Sequence, residues 1–244
     1  LGRKFGIRRF LGRHADMIVA NSNVGADYWR SSGYRGRIEV VHNIVPRPVD
    51  YNEQDRQTVD SAIRIVAVGR LSEEKNYDVL LRALETVLDQ YPQARVDILG
   101  EGHLRGQLQQ QIDTSAALAG RVCLAGFVDD VNLRLREATL FVSASRFEGS
   151  ANAQLDAILS GCPMVLSDID AHRELVGDDT AVFWRMGDAP ALADAILRCL
   201  TDPAGRHRRA KVARARLRLD EMSADRVAQR YLALYQELTS RQGV

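Results

Sequence analysis

From Ile63 onward, short apolar runs alternate with longer stretches in which apolar positions recur every three or four residues. The runs are Ile63 to Val68, Arg95 to Leu99, Val122 to Ala125, Thr139 to Ser143, Pro163 to Leu166 and Ala181 to Trp184. Each is too short for a helix, and most are near-continuously apolar, as in strands buried on both faces. Between them the spacing predicts helices, among them Tyr77 to Tyr91 and Ala151 to Ser160. Strands separated by helices form a parallel sheet covered on both faces, so the pattern predicts an α/β, doubly wound, Rossmann-like domain. Such sheets bind ligands beyond the carboxyl ends of their strands.

The flanks read differently. Residues 1–45 suggest a basic amphipathic helix, a strand from Met17 to Ala20, a helix from Val24 to Ser32 and a strand from Ile38 to Val41, too few elements to close a core. Pro46 and Pro48, among polar residues running to Gln57, mark a linker. After Ala189 the pattern is helical: Leu192 to Leu200, Arg206 to Arg218 and Ala224 to Leu238. The expected layout is therefore 1–45 as the remnant of an N-terminal domain, 46–60 as linker, 61–222 as the Rossmann-like domain and 223–244 as a C-terminal helix. The first residue is Leu1, not methionine, and the expectation is a piece of a longer protein.

Composition narrows the picture only a little. The chain has 244 residues, 45% hydrophobic and 27% charged, with a formal net charge of +1, which gives no reason to expect nucleic-acid binding. The seven Lys and Arg between Arg206 and Arg218 alternate with small and apolar residues at helical spacing and read as a solvated helix face. Cys123, Cys162 and Cys199 are odd in number and far apart, which fits neither a zinc site nor a disulfide framework and points to the reducing cytoplasm. No apolar run reaches the ~18 residues of a membrane span. The basic stretch Arg3 to Arg13 could touch anionic lipid at the inner face of a membrane, although packing as a helix of an acceptor domain is the preferred reading.

The chemistry concentrates after the fourth strand of the domain. Glu148 and Asp156 stand with seven residues between them, Glu148 beside Gly149 at a strand-to-helix junction and Asp156 inside the helix that follows. A carboxylate accepts several hydrogen bonds and suits vicinal hydroxyls, while the amides of Ser150, Ala151 and Asn152 at a helix start suit a phosphate between them. The plain alternative is a helix N-terminus capped by Glu148 and Asn152 with Asp156 in solvent. Leu155, Ala157, Ile158 and Leu159 around Asp156 argue against it, because a carboxylate near a buried face needs partners.

Other loops on the same edge add weaker signals. Gly69 ends the first strand of the domain, and Arg70 and Lys75 follow where a diphosphate needs positive charge; surface pairing with Glu73 and Glu74 explains the same letters. Gly100-Glu-Gly102-His103 resembles a dinucleotide fingerprint only loosely, and a tight turn is the better reading, with His103 a loop residue. Gly126-Phe-Val128-Asp129-Asp130 could edge a nucleobase or be a turn capped by an aspartate.

Taken together, the segments Ala15-Asp16 to Ser22, Val40-Val-His-Asn43, Val68-Gly-Arg-Leu71 with Lys75-Asn76, Leu99-Gly-Glu-Gly102, Gly126-Phe-Val-Asp129, and Glu148-Gly149 through Gly161-Cys-Pro163 resemble, in order and spacing, the C-terminal, donor-binding half of a retaining GT-B glycosyltransferase of family 4 (glycosyl transferases group 1). The resemblance implies a nucleoside-diphosphate sugar as donor, no obligatory cofactor or metal, a glycan or lipid-linked acceptor bound by a further N-terminal domain, and retention of configuration. It places Glu148 on the transferred sugar, Arg70 and Lys75 on the diphosphate, Gly69 where the phosphate nears the backbone, Asp156 on the ribose, and Val128 and Asp130 at the nucleobase. Asp156 departs from the family's glutamate by one methylene. A non-catalytic nucleotide-sugar-binding module and a sugar-nucleotide epimerase are the alternatives, with a dehydrogenase more distant; oligomeric state is not readable.

Overall fold

The computed structural model describes residues 10–45, 62–217 and 220–241. They form two compact units: the described residues before 46 and after 219 make one, and 62–217 make the other. The linker expected at 46–60 and most of the basic N-terminal helix lie outside the described residues.

In the small unit β1 (Met17–Ala20) and β2 (Arg37–Val40) pair in parallel, joined by α1 (Asn23–Ser31). Ser22 starts α1 by accepting the Gly25 amide at 2.9 Å. The C-terminal helix, Ala224–Arg241, belongs to this unit: its Val227 and Leu234 are buried with Val41, against Met17 and Val19. Arg230 reaches Glu39 at 2.6 Å, and Arg37 bonds both Glu39 and Glu237. Instead of standing apart as 223–244, the helix joins the segment around β1 and β2, because its apolar stripe finds its cover there.

The large unit runs β3 (Arg64–Val68), a single 3-10 turn (Glu73–Lys75), α2 (Tyr77–Gln90), β4 (Arg95–Leu99), α3 (Arg105–Thr114), β5 (Val122–Gly126), α4 (Val131–Arg136), β6 (Leu140–Ser143), α5 (Asn152–Leu159), β7 (Met164–Ser167), α6 (Asp170–Arg173), β8 (Val182–Trp184), α7 (Ala189–Thr201) and α8 (Pro203–Arg216); the C-terminal helix is α9. Its six strands lie in the order β5-β4-β3-β6-β7-β8, all parallel. The fold is the expected Rossmann-like sheet with helices on its faces. One core packs α2 and α7 on Ile65, Ala67, Ile98 and Val142; the other packs α4 and α5 on Val66, Phe141, Met164 and Leu166. Every residue of β7 is buried, whereas edge strand β5 alternates, with Val122 and Leu124 buried and Cys123 and Ala125 exposed. At that edge only one face is covered, and an alternating strand is the consequence.

This strand order places the site. The chain steps from β3 outward to β5, then returns to β6 on the other side of β3, so the loops after β3 and β6 leave the sheet in opposite directions and open a crevice between them. Arg70 and Lys75 lie after β3, and Glu148 lies after β6. Cys162 and Cys199 are buried and Cys123 is exposed, all as free thiols. No described helix is long and apolar enough to cross a membrane.

Candidate functional site

The turn after β3 is built from glycines on two neighbouring strands. A Cβ on Gly100, whose φ is +136°, would run into the Gly69 carbonyl, and one on Gly102 would run into that of Leu71. The amide of Leu71 instead donates to Glu101 O at 2.9 Å, and that of Leu104 to Leu71 O at 3.1 Å. The stretch from Gly100 is thus a tight turn that lets two loops touch, as its spacing suggested. His103 is exposed and lies 3.0 Å from the Glu73 carboxylate. Gly69 leaves room for a different neighbour, since a Cβ there would meet Lys75 Cε at 2.7 Å.

Beyond the 3-10 turn, Asn76 adopts a left-handed φ of 57° and ends it. The buried Tyr77 hydroxyl donates to Gly69 O at 3.2 Å, and burial pushes its phenol far above the usual value, with Glu148 adding to the effect. Two bonds stitch the β3 loop to the β6 loop: Arg146 Nε to Asn76 Oδ1 at 2.8 Å, and Arg146 N to Glu74 O at 2.8 Å.

Across this seam Lys75 Nζ donates to Glu148 Oε1 at 2.6 Å. Lys75 therefore does not pair with Glu73 or Glu74 on the surface. Ser145 Oγ donates to the same oxygen at 2.7 Å, and no described residue bonds Oε2. Arg70 is exposed and makes no ion pair among the described residues. The Glu74 carboxyl is held below its ordinary value, chiefly by a hydrogen bond from Ser72 and to a lesser extent by the Arg70 charge.

The segment after Glu148 differs from a simple capped helix start. Residue Ala151 stands at the N-cap of α5 with no side-chain cap bond among the described residues, while Ser150 Oγ donates to Asn152 Oδ1 at 3.2 Å. By contrast Asp130 caps α4, its Oδ1 accepting the Leu133 amide at 2.8 Å. That bond is the turn-and-cap reading of the β5 loop, and it occupies one oxygen of the residue considered for the nucleobase. Val128 is half-buried against the Val66 and Leu99 side of the core, and Phe127 stands 80% exposed beside it. Asp156 is half-buried on α5 with no side-chain partner among the described residues, and burial raises its carboxyl above the ordinary value.

Several residues of the site were not singled out in the sequence. Behind Glu148 lies a group of polar residues, the buried Ser145, Ser167 on β7 and His172 on α6 and the half-buried Ser143 on β6, with Gln154 of α5 donating to His172 O at 3.1 Å. The available signal was that two apolar strands end in serines, Ser143-Ala-Ser145 and Ser167. Hydroxyls there prepare a polar floor at the carboxyl edge.

The sequence profile described as glycosyl transferases group 1 matches residues 62–202, more than half of the chain. The chain belongs to that family. Among relatives of this glycosyltransferase family, a lipopolysaccharide core biosynthesis mannosyltransferase of Rhizobium leguminosarum bv. viciae is 28% identical over 211 residues, 80% of this chain and 57% of that protein. Glycogen synthase of Mycobacterium tuberculosis is 32% identical over 175 residues, 69% of this chain and 42% of that one. Across eight such relatives the chain spans between 17% and 60% of their length. In fold the chain is similar to HepE of Anabaena, solved in complex with UDP-glucose, at a TM-score of 0.81, with 22% identity over 93% of this chain and 67% of that one. Sucrose-phosphate synthase of Thermosynechococcus elongatus gives 0.80, with 20% identity over 98% and 62%. The fold of the large unit is thus the Rossmann-like domain of GT-B glycosyltransferases.

Proposed function

We propose that this chain is the donor-binding part of a retaining, family 4 hexosyltransferase, which takes a nucleoside-diphosphate sugar and passes the sugar to a glycan or lipid-linked acceptor. The observation that carries the reading is the meeting of Lys75 and Glu148 across the crevice between β3 and β6, with Glu148 Oε2 bonded by no described residue. A carboxylate anchored through one oxygen presents the other to a sugar hydroxyl in a fixed place.

In this reading Arg70, which has no ion pair among the described residues, and Lys75 hold the diphosphate, with Gly69 allowing close backbone approach. The start of α5, over Gly149, Ser150, Ala151 and Asn152, lies where the helix dipole favours the same charge. Asp156, half-buried and without a side-chain partner among the described residues, receives the ribose hydroxyls, and Val128 with Asp130 borders the base. In the transfer the C1–O bond to the diphosphate breaks, the diphosphate leaves with the electron pair, and the acceptor oxygen bonds C1 from the same side and passes its proton to the departing diphosphate. The two cations offset charge that grows on the leaving group, a larger effect in the transition state than in the bound donor. The small unit would belong with an acceptor domain, whose partner chemistry sets the acceptor, and would also be the part to make any peripheral membrane contact.

Thermal-shift titration with UDP, GDP and ADP and their sugar conjugates tests the reading. A ligand at ~100 times its Kd stabilises the fold by roughly 2.7 kcal/mol, a readily measured rise in Tm. A shift with one nucleotide that Arg70→Ala and Lys75→Ala weaken supports the donor site; no shift with any of them removes it. Turnover of the nucleotide-sugar without acceptor would favour an epimerase instead.

A further inference from the structure

One face of the sheet is closed at β3 and opens towards the β5 edge. Val66, Asp97 and Cys123 are partners in register on β3, β4 and β5, and along that row the residues go from buried to half-buried to exposed. The short helix α4 packs Leu135 over the Val66 side of the core and reaches no further. Beyond it Asp97 and Cys123 line an open hollow of about 510 Å³.

Two positions before each member of that row stands an arginine: Arg64, Arg95 and Arg121. Positions two apart along a strand share a face, and neighbouring strands lie roughly 4.8 Å apart. The three guanidinium groups accordingly line the same hollow, and Arg134 of α4 adds a fourth. Like charges at directly opposed cross-strand positions weaken a sheet, so pairing within the sheet gives no reason for the row.

These arginines are held in place without being neutralised. Arg95 Nη1 donates to Ala94 O at 3.0 Å, and Arg121 Nη1 to Leu88 O at 2.8 Å. A carbonyl takes a hydrogen bond and leaves the positive charge as it was. Among the described residues Arg64 alone of the four pairs with an acid, Glu137 at 3.3 Å. The Arg134 side chain makes no bond there, and Asp97, the one carboxylate on the wall, makes no ion pair. Four guanidinium groups against the two carboxylates of Asp97 and Glu137 leave two positive charges over. That is the complement of a phosphate monoester, which carries about −1.5 to −2 at neutral pH and whose oxygens accept the paired donors of arginine. The volume is that of a small-molecule site and exceeds what a bare phosphate fills. Its concave shape suits a soluble ligand, whereas a flat bilayer would meet only the rim.

We propose that this hollow binds the phosphate of a soluble phosphorylated small molecule through Arg64, Arg95, Arg121 and Arg134. It lies at the amino ends of β3, β4 and β5, across the sheet from the crevice that opens after β3 and β6. It is therefore a site distinct from the donor crevice, and it stands or falls independently of the role given to Glu148.

Cys123 supplies the reporter, since it lines the hollow and is exposed, while Cys162 and Cys199 are buried. Alkylation of Cys123 by iodoacetamide, read by mass spectrometry on the whole chain, is timed against rising glucose 6-phosphate, with glucose as control and sodium chloride holding the ionic strength. Glucose 6-phosphate should slow the reaction saturably and glucose should not. Losing one charge-assisted contact predicts an apparent Kd weaker by roughly tenfold in Arg134→Ala, with Arg134→Lys between that and wild type. Arg70→Ala, at the other edge, should leave the apparent Kd unchanged. Should Arg134→Ala not fold, Arg95→Ala takes its place. The proposal is overturned if glucose 6-phosphate slows alkylation no more than glucose or sodium chloride, or if the arginine variant leaves the apparent Kd intact. Loss of the effect in Arg70→Ala also overturns it, because the anion would then be in the donor crevice. So does protection by phosphatidylglycerol vesicles, absent with phosphatidylcholine ones, where the soluble phosphate gives none: the ligand would then be a membrane surface.

Discussion

Lys75 and Glu148 lie seventy-three positions apart and meet at 2.6 Å with side chains 16% and 13% exposed. At that burial the pair is not a surface bridge of negligible worth. Removing one partner strands the other charge in a low-dielectric seam, at a cost of about 3 kcal/mol, while removing both costs less than the sum of the single changes. Lys75→Met should therefore lower stability by about 3 kcal/mol, and adding Glu148→Gln should recover part of the loss. Urea unfolding of the four chains completes the cycle; strictly additive changes would show that the two groups do not interact.

Asp156 provides a case in which function and stability oppose each other. Its carboxyl is raised by burial and has no side-chain partner among the described residues. With the folded value above the unfolded one, the folded chain binds more protons in the interval between them, so stability falls as pH rises from the ordinary aspartate range through the folded value. Above that window the charge is carried at full cost. Asp156→Asn should raise Tm at pH 7, flatten the acid side of the stability profile, and weaken nucleotide binding severalfold. A lower Tm at pH 7 would mean that the carboxylate has a protein partner.

Gly100 couples the fold to the site. Its φ of +136° and the Gly69 carbonyl lying where a Cβ would go leave no room for a side chain. Gly100→Ala must push the β3 turn away or unpair β4 from β5 at the Gly100 to Gly126 contact, where the amide bond is 2.7 Å. A loss of about 3 kcal/mol or more in denaturant unfolding is expected, among the larger effects of a single substitution. Gly106→Ala, with open space around its Cβ position on α3, should be neutral or slightly stabilising by comparison.

These cases show why the sheet was legible and the floor of the site was not. β4 could be bounded at Arg95 and Leu99 because a short apolar run between helical patterns has few other readings. Asp168 to Arg173 offered no such pattern: α6 is only four residues long, and His172 is buried because β6, β7 and α5 close around it. Lys75 was weighed against Glu73 and Glu74, its sequence neighbours, while its partner came from the loop after a strand that is adjacent only through the crossover from β5 to β6. Local periodicity reports which face is buried; it carries no information on which loop arrives opposite.

Arg70 is the counterpart of Lys75, charged and near the same crevice yet exposed and without an ion pair among the described residues. A cation in that position has only the weak, exposed attraction of Glu74 to lose, so Arg70→Ala should change stability by no more than about 0.5 kcal/mol. If it meets a diphosphate, the same change removes a charge-assisted contact and should weaken nucleoside-diphosphate binding by roughly tenfold or more. Arg70→Lys keeps the charge without the two-pronged geometry and should fall between. Because an exposed contact of this kind is screened by salt, the gap between wild type and Arg70→Ala should narrow as ionic strength rises from 0.05 to about 0.5 M. Calorimetric titration across that range, beside urea unfolding, reads both quantities. Equal losses of stability and affinity would mean that Arg70 supports the turn rather than the ligand.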